Sequence, residues 1–286
     1  MKVLGLLSVF LCTIGGVFAQ ESQVISNEVS INRKGQFHVY WGWNVSWYTD
    51  SDITFKGEDY EFTLDDVEAF DRPTPFNAHD YFNPAQITIP QFNFRLGYFF
   101  HENYNVSLGF DHMKYVVKPY QTVNMNGEIQ NSGTDYDGVY NNVEQAINKD
   151  FLRFEHTDGL NYVNLEVRRF DEIYATKDIT FNLTEGFGAG LLIPRTNTTL
   201  LGKERYDEVH TSGYGLGAVV GVNVTFFERY FIQSEFKGGY INMQNIRTTQ
   251  SDVDEAQQDF FFTQFNVVFG VNINTKRSKR MKQQPE

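Results

Sequence analysis

From Phe37 to Trp47 the chain alternates without a break. Phe37, Val39, Trp41, Trp43, Val45 and Trp47 fall on one parity, and His38, Tyr40, Gly42, Asn44 and Ser46 on the other. A period of two places alternate side chains on one face of an extended strand, whereas a helix would scatter them around its axis. The pattern returns at about 87–100, 104–117, 160–170, 179–193, 215–226, 231–242 and 260–273. Eight strands of 11 to 15 residues are therefore expected. Each is long enough to cross a bilayer at barrel tilt, which takes roughly 9–11 residues.

The connections alternate as well. Those at 101–103, 171–178 and 227–230 are short, and those at 49–86, 118–159, 194–214 and 243–259 are long. An up-and-down antiparallel barrel has this asymmetry, with tight turns at one end and long loops at the other. The even strand count brings both termini to the short-turn end. The polar parity decides between a soluble and a membrane barrel. It is mostly small and uncharged, as at Gly42, Asn44, Ser46, Gly97, Ser107, Gly109 and Gly188. That suits the narrow interior of an eight-stranded barrel, while the aromatic face suits lipid. Aromatic residues make up 16% of the chain. Mean hydropathy is only -0.41, and beyond the N-terminus no apolar run approaches the roughly 18 residues of a membrane helix.

Residues 1–19 read as a secretory signal peptide, with Lys2, an apolar stretch, and Val17-Phe18-Ala19 before the cleavage point. The one cysteine, Cys12, lies inside that apolar stretch after Leu11, where a lipidated cysteine would need a small neighbour. Four regions follow: the signal peptide 1–19, a periplasmic segment 20–35, the barrel 36–275 and a basic periplasmic tail 276–286. At this point the chain resembles the small bacterial outer-membrane barrels of the OmpA/OmpX/OmpW type. The resemblance spans about 36–275 and rests on strand pattern, signal segment and loop asymmetry. It implies the outer membrane of a Gram-negative bacterium, with membrane lipid and lipopolysaccharide as neighbours. Such barrels often end on an aromatic residue, whereas this chain runs on into Lys276, Arg277, Lys279, Arg280 and Lys282.

The formal charge is -12, and the first long loop, 49–86, carries ten acids against Lys56 and Arg72. Nucleic acid is excluded as a partner, since phosphate binding needs clustered cations. An acidic surface that meets surface ligands or protein partners through loops 49–86 and 118–159 is expected. No dinucleotide, phosphate-loop or CxxC motif is present, so no cofactor is expected.

Parity turns Arg95, Asp111, Glu166, Arg168, Glu235 and Lys237 into the lumen. Three acids and three bases can neutralise one another there and plug the barrel; a small-solute channel is the alternative. Glu185 is turned toward lipid unless a bulge near Gly186 reverses it. Trp41, Trp43 and Trp47 are candidate interface aromatics. His210 and Ser212 share the lipid-facing parity at a rim. They are similar to the His-x-Ser arrangement of the outer-membrane lipid A deacylase family, which implies an ester hydrolase as the enzymatic alternative. Val224 occupies the position where that family's outward Glu would be sought. Glu155, His156 and Asp158, with Asp111 and His112, could gather at the rim, but no metal site is expected from them. Asp135-Tyr136-Asp137-Gly138 lacks most ligands of a calcium loop. Residues 63–70, with Thr63 as cap, and 142–151, with Val143, Ala146, Ile147 and Phe151 on one side, read as short helices in loops that cover the barrel mouth.

Overall fold

The computed structural model describes residues 32–274 apart from 84, 85, 87 and 88. The signal segment 1–19, most of segment 20–35 and the tail 276–286 lie outside the described residues. In chain order the strands are β1 (Gln36–Tyr48), β2 (Ser51–Lys56), β3 (Tyr60–Val67), β4 (Ala69–Phe70) and β5 (Phe92–Phe99). Next come β6 (Tyr104–Val117), β7 (Thr122–Ile129), β8 (Gly138–Ala146), β9 (Leu152–Ala175) and β10 (Ile179–Leu192). The last are β11 (Arg195–Leu200), β12 (Tyr206–Val209), β13 (Gly213–Phe226), β14 (Tyr230–Arg247) and β15 (Glu255–Asn274). A short helix, α1 (Ala78–Phe82), lies between β4 and β5.

Eight of these strands close a ring in the order β1-β5-β6-β9-β10-β13-β14-β15, and β15 pairs back onto β1 over their whole common length. They are the eight strands read from the alternation. The fold is an eight-stranded, antiparallel, up-and-down β-barrel. Its stagger follows from the register. Phe99 faces Asn105, and the row continues through Arg168, Gly186, Val219, Lys237 and Gln264 to Ser46. Ser46 lies three residues beyond Trp43, which faces Phe92, so the row returns at position 89, ten residues from Phe99. A stagger of that size tilts the strands by roughly 35–45° and leaves an interior that side chains must fill.

Strands that rise beyond the ring exchange the polarity of their two faces part-way along. On β9 the enclosed side chains are apolar at Leu152, Phe154 and Leu160, then polar at Asn164, Glu166 and Arg168. Its outward parity runs the other way, from Arg153 and Glu155 to Leu165 and Val167. The enclosed face of β6 changes from Asn105, Ser107 and Asp111 to Met113, Tyr115 and Val117. On β15 the enclosed change comes between Phe262 and Gln264, and on β14 between Lys237 and Ile241. These changes come at neighbouring levels of the tilted wall and divide the molecule into two storeys.

The upper storey is a cap built of strand. β2, β3, β7 and β8 extend the top of β15, while β11 and β12 extend β9. Their inward residues, including Phe55, Phe62, Leu64 and Met125, form one apolar core with Phe151 and with the ring strands' upper ends, Phe154 among them. The helices expected at 63–70 and 142–151 are therefore corrected: 63–67 belong to β3, 69–70 to β4 and 142–146 to β8, and 147–151 form a turn rather than a helix. β3 and β8 each carry a bulge, with Ser51–Ile53 opposite Leu64–Val67 and Met125–Gly127 opposite Tyr140–Val143. Asp66 and Asn142 sit at the bulges with φ of 50° and 54°. An extra residue turns the spacing of inward residues from two to three, which imitates one turn of helix.

The wall has a seam. β5 stops at Phe92, opposite Trp43. Above it, among the described residues, no strand fills the place between β1 and β6 until the two-residue β4 pairs with Val116 and Val117 at the top. Side chains bridge it instead: Tyr48 donates to the Lys114 carbonyl at 2.8 Å and Asn44 Nδ2 to the His112 carbonyl at 3.3 Å. Asp71 Oδ2 accepts the Ser46 N–H at 2.8 Å. From there the strap, described at 71–83, 86 and 89–91, runs over the outer face of β1 where it carries α1, and is back beside Asn44 at Gln91.

Candidate functional site

The lumen holds all six charged side chains that parity directs inward, and each is almost wholly buried. Arg95 reaches across from β5. Its Nη2 donates to Glu166 Oε1 at 2.9 Å and Asn164 Oδ1 at 3.0 Å, and its Nε to the Tyr40 hydroxyl at 2.9 Å. Arg168 donates from Nε to Glu166 Oε2 at 2.7 Å and from Nη1 to Glu235 Oε1 at 2.5 Å. Lys237 closes the third side, donating to Glu166 Oε1 at 2.6 Å and to Asp111. Three bases thus converge on Glu166. Asp111 and Glu235 flank it and are held in turn by amides: Asn93 and Asn164 donate to Asp111, Gln233 and Asn266 to Glu235. Charged groups out of water survive only when paired and hydrogen-bonded in this way.

Two glycines make room for it. A Cβ at Gly109 would stand 2.4 Å from Arg95 Nη2, and one at Gly188 2.3 Å from Glu166 Cγ. Sequence reasoning missed the hub, Tyr40. Its hydroxyl accepts from both arginines and donates to Glu235 Oε1, and both guanidinium carbons lie 5.9 Å from its ring centre. Its signal was its place on the inward parity of the first strand. Toward the short-turn end, Arg33 donates to Asn182 and lies 3.8 Å from Glu172. Between that pair and the network a cavity of about 10 Å³ is lined by His38, Phe99 and Phe231 among others, space for about one water.

Glu185 stays on the outward parity beside Leu183 and Phe187, directly across from Arg169. The β9–β10 register shift falls at Phe181/Asn182, away from Gly186. Trp41 and Trp43 meet edge to face at 4.7 Å, and Trp47 is exposed higher on the same face.

His210 and Ser212 do not form the pair that parity suggested. Ser212 is 3% exposed rather than open to lipid, because the β14 backbone closes over it through the Gln244 and Asn245 N–H groups. Its hydroxyl donates to the backbone carbonyl of His210 at 3.4 Å. A nucleophile needs the imidazole at that position. The rim ligands also separate. Asp111 points into the lumen toward Lys237, His112 bonds Asn161 at 2.8 Å, and His156 is enclosed in the cap between Thr196 and Gln258. Glu155 instead holds Arg72 and Arg153. Among the described residues no three His, Cys, Asp or Glu side chains gather as metal ligands.

The solvent face of the cap sheet is acidic. A groove of about 290 Å³ runs between Asp65 and Asp66 on one side and Thr122, Asn124 and Glu144 on the other. Asn126 donates to Asp65 at 2.8 Å, and Asp52 accepts the Asp66 N–H at 2.9 Å. Desolvation, with Asp52 and Asp66 close by, raises the Asp65 carboxyl above its ordinary pKa.

No protein-family model and no curated protein matches the chain. Among solved structures it is similar to the outer membrane protein OprG from Pseudomonas aeruginosa, at 11% identity and a TM-score of 0.42, over 86% of this chain and 100% of that one. It is also similar to Neisserial surface protein A, at 10% identity and a TM-score of 0.34, over 84% and 99%. A third is Ail of Yersinia pestis, at 10% identity and 0.28, over 82% and 99%. These are likenesses of barrel form.

Proposed function

We propose that the chain is a non-conducting integral barrel of a bacterial outer membrane that holds a folded β cap at the cell surface for binding. The observation that carries this reading is the exchange of face polarity along β6, β9, β14 and β15. Below the exchange, apolar side chains such as Leu108, Leu165 and Phe265 point outward around a polar interior, as a lipid solvent requires. Above it, apolar side chains point inward, as water requires. The short-turn end then faces the periplasm. The lumen network supports a closed barrel, since a solute would have to displace fully paired charges. Binding is assigned to β2, β3, β7 and β8, within loops 49–86 and 118–159, whose acidic face attracts a cationic partner in a salt-sensitive way.

Planar-bilayer recording tests the closed state. Insertion without steady conductance is expected; a steady ohmic current through the wild-type protein would replace this reading with that of a channel. Lipid A mass spectra from cells with and without the protein are expected to coincide. An acyl-chain loss abolished by Ser212→Ala would make the protein a hydrolase instead.

A further inference from the structure

In its described residues the strap lies on the face that the barrel turns toward lipid. α1 is only five residues long, too short to persist on its own propensity, so its local devices matter. Asn77 caps it, accepting the Asp80 N–H at 2.8 Å and returning Nδ2 to the Asp80 carboxylate at 2.6 Å. Phe76, just before the cap, packs on Tyr81 at 5.0 Å between ring centres, a hydrophobic staple that sets the angle of entry. Tyr81 donates to the Thr74 carbonyl at 2.7 Å. Lys114, from the outer face of β6, donates to Thr74 Oγ1 at 3.0 Å and to the Ile89 carbonyl at 3.2 Å, tying both ends of the strap to the wall.

The helix is held against Trp43. Tyr81 and Phe82 lie 5.5 and 5.4 Å from its ring, and Phe269 of β15 lies 5.8 Å away on the barrel side. Trp43 belongs to the outward apolar run of β1, which continues above it to Val45 and Trp47. The strap therefore reaches down alongside side chains of the barrel's apolar belt. Yet Phe76 is 73% exposed and Phe82 62%, while Asn77 and His79 are exposed beside them. Such a patch in water would be costly. As an interfacial amphipathic element continuous with a lipid-facing belt, it has a matching solvent.

Resting on the membrane reading above, we infer that the strap is seated in the outer leaflet, with Phe76 and Phe82 among lipid acyl chains and Asn77 and His79 at headgroup level. The occupant of this surface is lipid. The barrel therefore meets the outer leaflet through a protruding shelf on the β1 side and through bare strands elsewhere.

Single-cysteine spin labels test it, since the sequence has only Cys12, inside the expected signal segment. Labels at 76, 82 and 79 are compared in vesicles with a belt reference at Leu108 and a water reference at Tyr120, all of them exposed side chains. The oxygen-to-nickel-chelate accessibility ratio at 76 and 82 is expected to match that at 108 and to exceed that at 79 and 120 several-fold. Ratios at 76 and 82 equal to 120, with 108 still lipid-like, would overturn the inference and leave the membrane reading standing. A water-like ratio at 108 would overturn both. Spin–spin broadening at 76 that grows with protein-to-lipid ratio would assign the surface to a second copy and also overturn the inference.

Discussion

The lumen and the cap interior share β6, β9, β14 and β15 as walls and are filled with opposite chemistry. In the lumen, Glu166 is met by Arg95, Arg168 and Lys237, and the flanking Asp111 and Glu235 accept further hydrogen bonds from amides. In the cap, Phe55, Phe62 and Phe154 pack ring on ring at 5.2 to 5.6 Å. On the proposed membrane reading, the interior follows what lies outside. Where the outer surface faces lipid, burying apolar side chains inside gains little, so cohesion falls to hydrogen bonds and ion pairs. Where it meets water, the hydrophobic effect returns.

That contrast can be broken from either side. Glu166→Ala leaves three buried cations short of their common partner and is expected to cost the barrel about 3–5 kcal/mol, read as a lowered midpoint of heat-induced mobility change in detergent. Cap protection against protease should be unchanged; joint loss would mean that the two storeys unfold as one. Phe154→Ala should cost a similar 3–5 kcal/mol, but in cap proteolysis, with the barrel midpoint preserved.

A pH test sharpens the same contrast within the cap. Burial pushes the His156 imidazole down from 6.5 to about 3. Below pH 6.5 the unfolded cap binds a proton that the folded cap refuses, so its stability falls as pH drops toward 3. The slope is at most about 1.4 kcal/mol per pH unit. Pulse proteolysis in urea should show that slope in the wild type and a flatter one in His156→Gln. Removing both members of a lumen pair, Lys237→Met with Asp111→Leu, should shift the barrel midpoint by less than about 2 kcal/mol, whereas Lys237→Met alone should cost more. The smallest effect is expected at the exposed Lys118–Glu68 pair, where Lys118→Ala changes cap stability by under about 1 kcal/mol.

The ring was legible because its strands alternate face by face over long runs, although β5, eight residues long, is shorter than the expected 87–100. Legibility stopped where the polarity of the faces reversed. The alternation predicts the fourth strand from 160 and the eighth from 260, but β9 starts at Leu152 and β15 at Glu255. The missing residues lie above the polarity exchange, where the apolar side chains have changed parity. The cap strands were hidden by bulges that space Leu64 and Val67, and Tyr140 and Val143, three residues apart. The lumen charges were readable from parity, but the convergence on Glu166 and the hub role of Tyr40 depend on stagger, which no single strand reveals. Ser212 keeps the parity expected of it, yet backbone from β14 covers it.

The filled lumen has a consequence for the order of assembly. A plug tied to strands all round the wall leaves no passage wide enough for a peptide, so the cap segments 49–91, 118–151 and 193–212 have no route through a finished ring. If the barrel is seated in a membrane as proposed, they are expected to have crossed it before β15 zips onto β1. Joining the first strand to the last is then expected as the final act, one that traps the charges and the cap in place together.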